Sequence, residues 1–83
     1  MSSGAREVNS AYRRAFGDRL RTLRSERGIS QERLALNTGI ARSYLGGIER
    51  GEKNPALDHI VRRAVGLQVE PGDLMPTMPD GLR

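Results

Sequence analysis

Two short helical patterns separated by one glycine lie at the centre of this chain and constrain its fold more than any other feature. The first pattern runs from Gln31 to the small Ala35 and beyond, and the second carries Leu45 and Ile48. Apolar residues three or four apart share one face of a helix. Gly39 stands between the patterns, and glycine readily adopts the left-handed backbone of a tight turn. We therefore predict two short crossing helices, the second with an exposed outer face.

Helices are also predicted on both sides of this pair. A first helix is expected to begin at Ala11, because apolar residues follow it at helical spacing. Asn54 and Pro55 form a typical helix start, since asparagine caps free amides and proline lacks an N–H that would be unbonded there. Pro71 is expected to open a short fifth helix. The apolar face of the first helix consists of Tyr12, Phe16, Leu20 and Leu23.

The predicted architecture is therefore all-α, a compact bundle of five helices in one small domain. Residues 1–10 are small and polar and are expected to form a flexible tail. The helical domain is expected to cover 11–75. An irregular tail is expected over 76–83, where two prolines and a glycine fall close together.

The charge of the chain is compatible with a nucleic-acid partner. Fourteen lysine and arginine residues against ten acidic residues give a formal net charge of +4, and Lys53 is the only lysine. A guanidinium donates two hydrogen bonds at once to a phosphate or a base edge, so an excess of arginine suits DNA. The alternative is an ordinary solvated surface, and composition alone does not decide between them.

Residues for catalysis or metal binding are scarce. The chain has no cysteine, which excludes disulfides and thiolate metal sites, and His59 is its only histidine. No spacing suggests a nucleophile beside a base. We expect neither an enzyme nor a bound cofactor or metal. No apolar run approaches the ~18 residues of a membrane span, and the start lacks the apolar segment of a secretory leader, so a cytoplasmic protein without a membrane partner is expected.

The segment SERGISQERLALNTGIARSYLGGIERGEKNPALDHIV resembles the Cro/repressor-type helix-turn-helix family, also called the xenobiotic-response-element family. The resemblance covers about residues 20–74. It rests on RGISQERLA, the turn glycine, YLGGIERG and NPAL occurring in order. It implies a lambda repressor-like DNA-binding domain that docks on double-stranded DNA as a symmetric homodimer. Within the family, this form of the motif is typical of restriction–modification controllers and small phage or bacterial regulators.

Several DNA contacts are implied by the resemblance. Gln31 would bond a phosphate and brace the recognition helix. Arg42 and Ser43 match base-contacting positions, and Tyr44 would reach a phosphate or a thymine methyl. The remaining implied positions are Gly46 and Gly47 on the recognition helix and Lys53 and Asn54 in the loop that approaches the DNA backbone.

The adjacent Gly46 and Gly47 need an explanation, because each costs a helix about 1 kcal/mol relative to alanine. One explanation is that a bare backbone lets the recognition helix approach the DNA closely in a major groove about 12 Å wide. The other is that either glycine faces a close neighbour within the protein. Close approach is favoured for Gly47, and the two explanations are balanced for Gly46.

The resemblance also implies structural roles. Arg24 and Glu49 match a partly buried ion pair between the first and third helices. Dimerisation would use residues near the fifth helix: Leu67, Val69, Leu74 and Met75. Three positions depart from the family pattern: Ala41 replaces a capping Ser or Thr, Arg63 replaces an apolar residue, and Gly66 replaces alanine.

The sequence thus predicts a transcriptional regulator, a repressor or autoregulator, that binds a pseudo-palindromic operator through the major groove and associates with the nucleoid. RNA polymerase or another protein is a further candidate partner. The alternative is a protein-interaction or antitoxin-like module whose C-terminal tail is a binding arm and whose DNA binding is secondary.

Overall fold

The structure is a computed structural model that describes residues 3–77. This part of the chain is all-helical, with four α-helices and one 3-10 segment, so the predicted fifth helix is a single 3-10 turn. No helix within it is both long and apolar enough to cross a membrane. The elements are α1 (Ser3–Glu26), α2 (Gln31–Thr38), α3 (Arg42–Glu49), α4 (Leu57–Leu67) and η1 (Pro71–Leu74).

The prediction that the first helix begins at Ala11 was wrong. Helix α1 begins at Ser3, because residues 3–10 contain good helix formers such as Ala5, Arg6 and Glu7 and no proline. The expected flexible tail is therefore helical from Ser3 onward. Of the expected C-terminal tail, Pro76 and Thr77 are not helical, and 78–83 lie outside the described residues, as does most of the proposed binding arm.

The core lies where α1, α2, α3, α4 and η1 meet. Each fully buried leucine contributes about 1.5–3 kcal/mol relative to an exposed one. The face predicted for the first helix supplies its share of the core, except that Tyr12 is only half-buried. The buried apolar residues are Phe16, Leu20, Leu23, Leu34, Ile40, Leu45, Ile48, Ala64, Leu67 and Leu74.

The turn between α2 and α3 has the predicted geometry. The Ser30 hydroxyl caps α2 by accepting a hydrogen bond from the Arg33 amide at 3.0 Å. Gly39 closes the helix with a left-handed φ of 73°, and its amide bonds the Ala35 carbonyl. At α3, Ala41 is the N-cap and provides no side-chain hydrogen bond.

Gly17, which no sequence motif marks, sets the distance between α1 and α3. A Cβ on Gly17 would lie 2.6 Å from the Glu49 carbonyl oxygen and closer still to that of Ile48. Both neighbours are backbone atoms, which cannot move aside alone. The absence of a side chain therefore lets α1 lie directly on the last turn of α3.

Helix α4 starts later than predicted, and Gly66 does not end it. Ala56 is the N-cap and Leu57 the first helical residue, so Asn54 and Pro55 belong to the preceding loop. Gly66 lies inside the helix, where an added Cβ would be 2.7 Å from the Thr38 methyl group. This glycine therefore permits close packing of α4 on α2.

Candidate nucleic-acid interface

The first turn of α3 is open to solvent. Arg42 and Ser43 are both exposed, and the helix has no capping side chain. The first amides of a helix are unbonded donors at the positive end of its dipole. An arginine, a hydroxyl and free amides therefore lie together at the end of α3, a chemistry that suits both base edges and phosphate.

Glu49 is held at the other end of α3 by a bidentate ion pair with Arg24. The Arg24 Nε and Nη2 atoms lie 2.7 and 2.9 Å from the two carboxylate oxygens, and the Glu49 side chain is only 3% exposed. Arg24 also donates to the Ile29 carbonyl at 2.9 Å. The pair implied by the resemblance is thus present and ties α1 and the start of α2 to α3.

Gln31 completes this cluster. Its amide nitrogen donates to Glu49 Oε1 at 2.9 Å, and the residue is half-buried at the start of α2. Burial by itself raises the pKa of Glu49. Hydrogen bonds from Arg24 and Gln31, together with the positive charges of Arg24 and Arg21, lower it by a larger amount, so the pKa lies below its ordinary value. Gln31 therefore braces α3 through Glu49, and its phosphate contact stays a prediction.

Tyr44 anchors the loop that follows α3. Its hydroxyl donates to the Asn54 carbonyl at 3.0 Å, and its ring meets the edge of His59 at a centroid distance of 5.4 Å. This bond holds Asn54 in the loop, which explains why α4 does not start there. The side chain of Tyr44 is half-buried, so part of its surface faces solvent, and Lys53 and Asn54 in the loop are both exposed.

Arg63 is a fully buried arginine beneath Tyr44. Its guanidinium carbon lies 5.9 Å from the centre of the tyrosine ring, and none of its three nitrogens has a hydrogen-bond partner within residues 3–77. Burial lowers the pKa of Arg63 to about 10. The departure from the family pattern at this position therefore places a cation where an apolar side chain would pack.

Gly46 and Gly47 are both buried under side chains of this chain itself. A Cβ on Gly47 would lie 2.7 Å from Lys53 Cγ, and one on Gly46 would lie 3.2 Å from Arg50 Nη1. The second explanation for the glycines, a close neighbour within the protein, thus has a structural basis. The covering side chains are long and flexible, however, so close approach to DNA after they move aside stays a prediction.

Two of the four residues predicted for the dimer interface are not on the surface. Leu67 and Leu74 are 1% and 0% exposed, because they fill the core of one protomer, where apolar periodicity alone cannot distinguish them from interface residues. Val69 packs against the same core, and only Met75, at 44%, is well exposed.

An exposed apolar stripe on α4 was not predicted from the sequence. Leu57, Val61 and Val65 are spaced four residues apart, which aligns them along one helix face. They are 72%, 42% and 70% exposed. The sequence did carry a sign of this stripe, because these residues recur at regular spacing beside the buried positions and make the helix apolar on two faces.

Comparison with known proteins agrees with this architecture. The family described as "Helix-turn-helix domain" matches residues 15–78. The chain belongs to this helix-turn-helix family. Members of the family and its relatives are transcription regulators and not enzymes.

Similar proteins include regulators of several kinds. This helix-turn-helix protein is 41% identical over 69 residues to control protein C.BamHI of Bacillus amyloliquefaciens, covering 82% of this chain and 85% of that protein. It is 42% identical over 55 residues to the immunity repressor of Bacillus phage phi105, where the match covers 64% of this chain but only 38% of the repressor.

A solved structure shows the same fold. The restriction–modification controller protein C.AhdI from Aeromonas hydrophila superposes with a TM-score of 0.77 and 48% sequence identity, over 78% of this chain and 98% of that chain.

Proposed function

We propose that this helix-turn-helix protein is a sequence-specific transcription regulator that binds a pseudo-palindromic operator as a homodimer, with α3 in the major groove. The observation that carries the proposal is the combination of an exposed α3 start at Arg42 and Ser43 with a braced α3 end at Glu49. A reading element must present free donors on a rigid support, and α3 does both.

Base reading is assigned mainly to Arg42. An exposed arginine at the start of a recognition helix is placed for a bidentate contact to guanine, worth about 1–3 kcal/mol of discrimination. Ser43 and Tyr44 would contribute smaller contacts. Because Gly46 and Gly47 offer no side chain, specificity depends on these three residues.

Phosphate contacts would position the protein without reading sequence. Lys53 and Asn54 are exposed in the loop after α3, and Gln31 lies at the start of α2. Glu52 adds an acid to this loop, but Arg50 pairs with it at 3.1 Å. DNA affinity is therefore expected to fall steeply with salt, as counterion release requires.

The homodimer contact is assigned to the exposed α4 stripe of Leu57, Val61 and Val65, and to the exposed Met75, which follows η1. Leu67 and Leu74 are buried and are therefore not assigned to it. An exposed apolar row on one helix suits a symmetric contact with a second copy. A dimer would place two α3 helices on half-sites about 10 bp apart.

Repression requires only that the bound dimer occlude a promoter, and one relative is named an immunity repressor. Two relatives are named control proteins, so a regulator that also activates its own operon is the second form of the proposal. Activation would use contact with RNA polymerase, for which Asp58 and Glu52 offer exposed carboxylates.

Selection of bound sequences from a random duplex library at near-physiological salt tests the proposal. We expect a two-fold symmetric site, and repetition with Arg42→Ala should relax one base position in each half-site. Arg33→Ala, an exposed arginine on α2, is the control and should leave the preferred sequence unchanged. Failure to enrich any sequence would reject sequence-specific recognition.

A further inference from the structure

The first half of α1 is an addition to the matched family domain. Helix α1 begins at Ser3, whereas the family match begins at residue 15. Residues 3–14, here called the α1 extension, correspond to about 18 Å of helix at about 1.5 Å per residue. Among the described residues, no buried core residue lies in the α1 extension, so packing of the core does not account for a helix of this length.

The α1 extension is fixed to the rest of the domain at two points. The Tyr12 hydroxyl donates to the Pro76 carbonyl at 2.5 Å. Near its end, Arg14 lies against Gly51, where an added Cβ would be 3.0 Å from the Arg14 Cα. The extension therefore holds a defined position beside the loop that connects α3 to α4.

A cleft lies between the α1 extension and this loop. It is lined by Val8, Asn9, Tyr12, Arg13 and Asn54. Its free polar groups are a guanidinium and two side-chain amides, all of which donate hydrogen bonds. Within residues 3–77, Arg13 has neither an ion pair nor a hydrogen-bond partner for its side chain, and no carboxylate lines the cleft.

The surroundings of the cleft add positive charge. Arg14 is exposed and bonds the Ser10 hydroxyl at 2.9 Å rather than an acid. Lys53 precedes Asn54 in the loop, while the neighbouring Glu52 is paired with Arg50. Glu7 is exposed on the α1 extension but does not line the cleft. Such a set of donors suits a singly charged phosphodiester.

We infer that this cleft binds a phosphate of the DNA backbone, outside the base pairs read by α3, through Arg13, Asn9 and Asn54. The inference rests on the proposed function. Arg42 lies at the far end of α3 from Gly51 and Arg14, so the cleft continues the phosphate-contacting surface beyond Lys53 and away from the reading residues. The α1 extension lengthens the footprint of each protomer on DNA.

The test compares two duplexes, the selected operator cut at the ends of its half-sites and the same operator with about five base pairs, half a helical turn, added on each side. Affinity is measured by fluorescence anisotropy over a range of salt concentrations. The variants are Arg13→Gln and Asn9→Ala. Arg62→Gln, an exposed arginine on α4, is the control for loss of one charge.

We expect the wild type and Arg62→Gln to bind the longer duplex more tightly and with a steeper salt dependence. Arg13→Gln and Asn9→Ala should lose this gain and match the wild type on the short duplex. For Arg13→Gln on the longer duplex, the plot of log affinity against log salt concentration should become shallower by about 0.9 for each phosphate that the protein no longer neutralises. Asn9 is exposed, so its variant keeps the test valid if Arg13→Gln impairs folding.

Equal wild-type affinity for the two duplexes would overturn the inference and leave the proposed function intact. Binding to neither duplex would reject the proposed function as well. A titration with inorganic phosphate, followed by NMR at the Asn9 and Asn54 side-chain amides, tests whether the cleft binds a free anion instead of the DNA backbone. Saturable shifts there, with no effect of duplex length, would assign the cleft to a free anion and overturn its assignment to DNA.

Discussion

Arg24 and Glu49 join α1 to α3 through two parallel hydrogen bonds of 2.7 and 2.9 Å. Both partners are largely withdrawn from solvent, with side chains 14% and 3% exposed. Removing one member of such a pair leaves the other uncompensated, which costs about 3–5 kcal/mol. Glu49 also accepts a hydrogen bond from the Gln31 amide, so the pair fixes the orientation of α3 as well as its attachment to α1.

Glu49→Gln should lower the free energy of unfolding by about 3 kcal/mol at neutral pH, near the lower end of that range because Arg24 keeps some contact with water. Urea denaturation measures this loss. Glu52→Gln is the control: its pair with Arg50 is 58–60% exposed, so water and salt screen it and its loss should leave stability nearly unchanged. Equal losses of stability in the two variants would show that the buried pair stabilises the protein no more than the exposed pair does.

The effect of Glu49→Gln should also depend on pH. The pKa of Glu49 is lower in the folded protein than its ordinary value of 4.5. The unfolded chain then takes up the proton first, so stability from this group is complete above that value and is lost as the pH falls through the folded pKa. The difference in stability between wild type and Glu49→Gln should therefore shrink below about pH 4. A constant difference throughout the acid range would contradict the assignment.

Gly17→Ala should destabilise the protein by at least about 1–3 kcal/mol, the usual cost of overpacking. The added methyl group would meet the carbonyls of Ile48 and Glu49, and α1 would have to move away from α3. Gly72→Ala is the matched control, because no atom lies within 4 Å of its added Cβ. Thermal melts of the two variants give the comparison, and an unchanged melting temperature for Gly17→Ala would show that the helices are not packed this closely.

Local chemistry explains which parts of this fold the sequence could predict. Gly39 was recognised because a left-handed turn depends on residues within one helical turn. The contact of Gly17 with α3 joins positions about thirty residues apart in the chain, and nothing near Gly17 in sequence marks it. The prediction that Asn54 caps α4 and Pro55 begins it was wrong for a similar reason, because the Asn54 carbonyl accepts a hydrogen bond from Tyr44, ten positions earlier in the chain.

The candidate site shows the same division. The resemblance implied that Leu67 and Leu74 lie in the dimer interface, but an apolar residue in the sequence does not reveal whether it packs within its own protomer, as these two do, or against a second copy. The exposed start of α3 followed from its motif. The cover over Gly47 did not, because it depends on how Lys53 folds back from the loop.

Arg63→Met should stabilise the protein by about 1–3 kcal/mol, since it removes buried donors that have no acceptor within residues 3–77. The gain is reduced because a cation no longer lies against the Tyr44 ring. Chemical denaturation of this variant is compared with that of Arg62→Met, which alters an exposed neighbour and should be nearly neutral. A destabilisation of more than about 1 kcal/mol for Arg63→Met would show that the guanidinium has an acceptor. In the wild type, the pKa of about 10 in the folded protein lies below that of the unfolded chain. The folded protein therefore loses its proton first, and stability rises as the pH increases above about 10.

Gly47→Gln should keep the fold but weaken operator binding by at least about tenfold, or 1.4 kcal/mol. The new side chain must displace Lys53, whose aliphatic part now covers Gly47, and it would hold α3 away from the bases. Circular dichroism checks the fold and anisotropy the affinity. Lys53→Gln is the control that removes only the charge. Full affinity of Gly47→Gln would show that this glycine serves packing within the protein and not close approach to DNA.

Val65→Glu should prevent formation of the proposed dimer without unfolding the protomer. Val65 is 70% exposed in the protomer, so a charge there costs little in the monomer but would be buried without a partner in a symmetric contact through α4. Sedimentation at about tens of micromolar protein measures the oligomeric state, which depends on concentration. Leu36→Glu is the control, since Leu36 is 76% exposed on α2 and should leave the dimer intact. A wild type that stays monomeric, or a Val65→Glu variant that still dimerises, would exclude the α4 stripe as the interface and with it the proposed spacing of the half-sites.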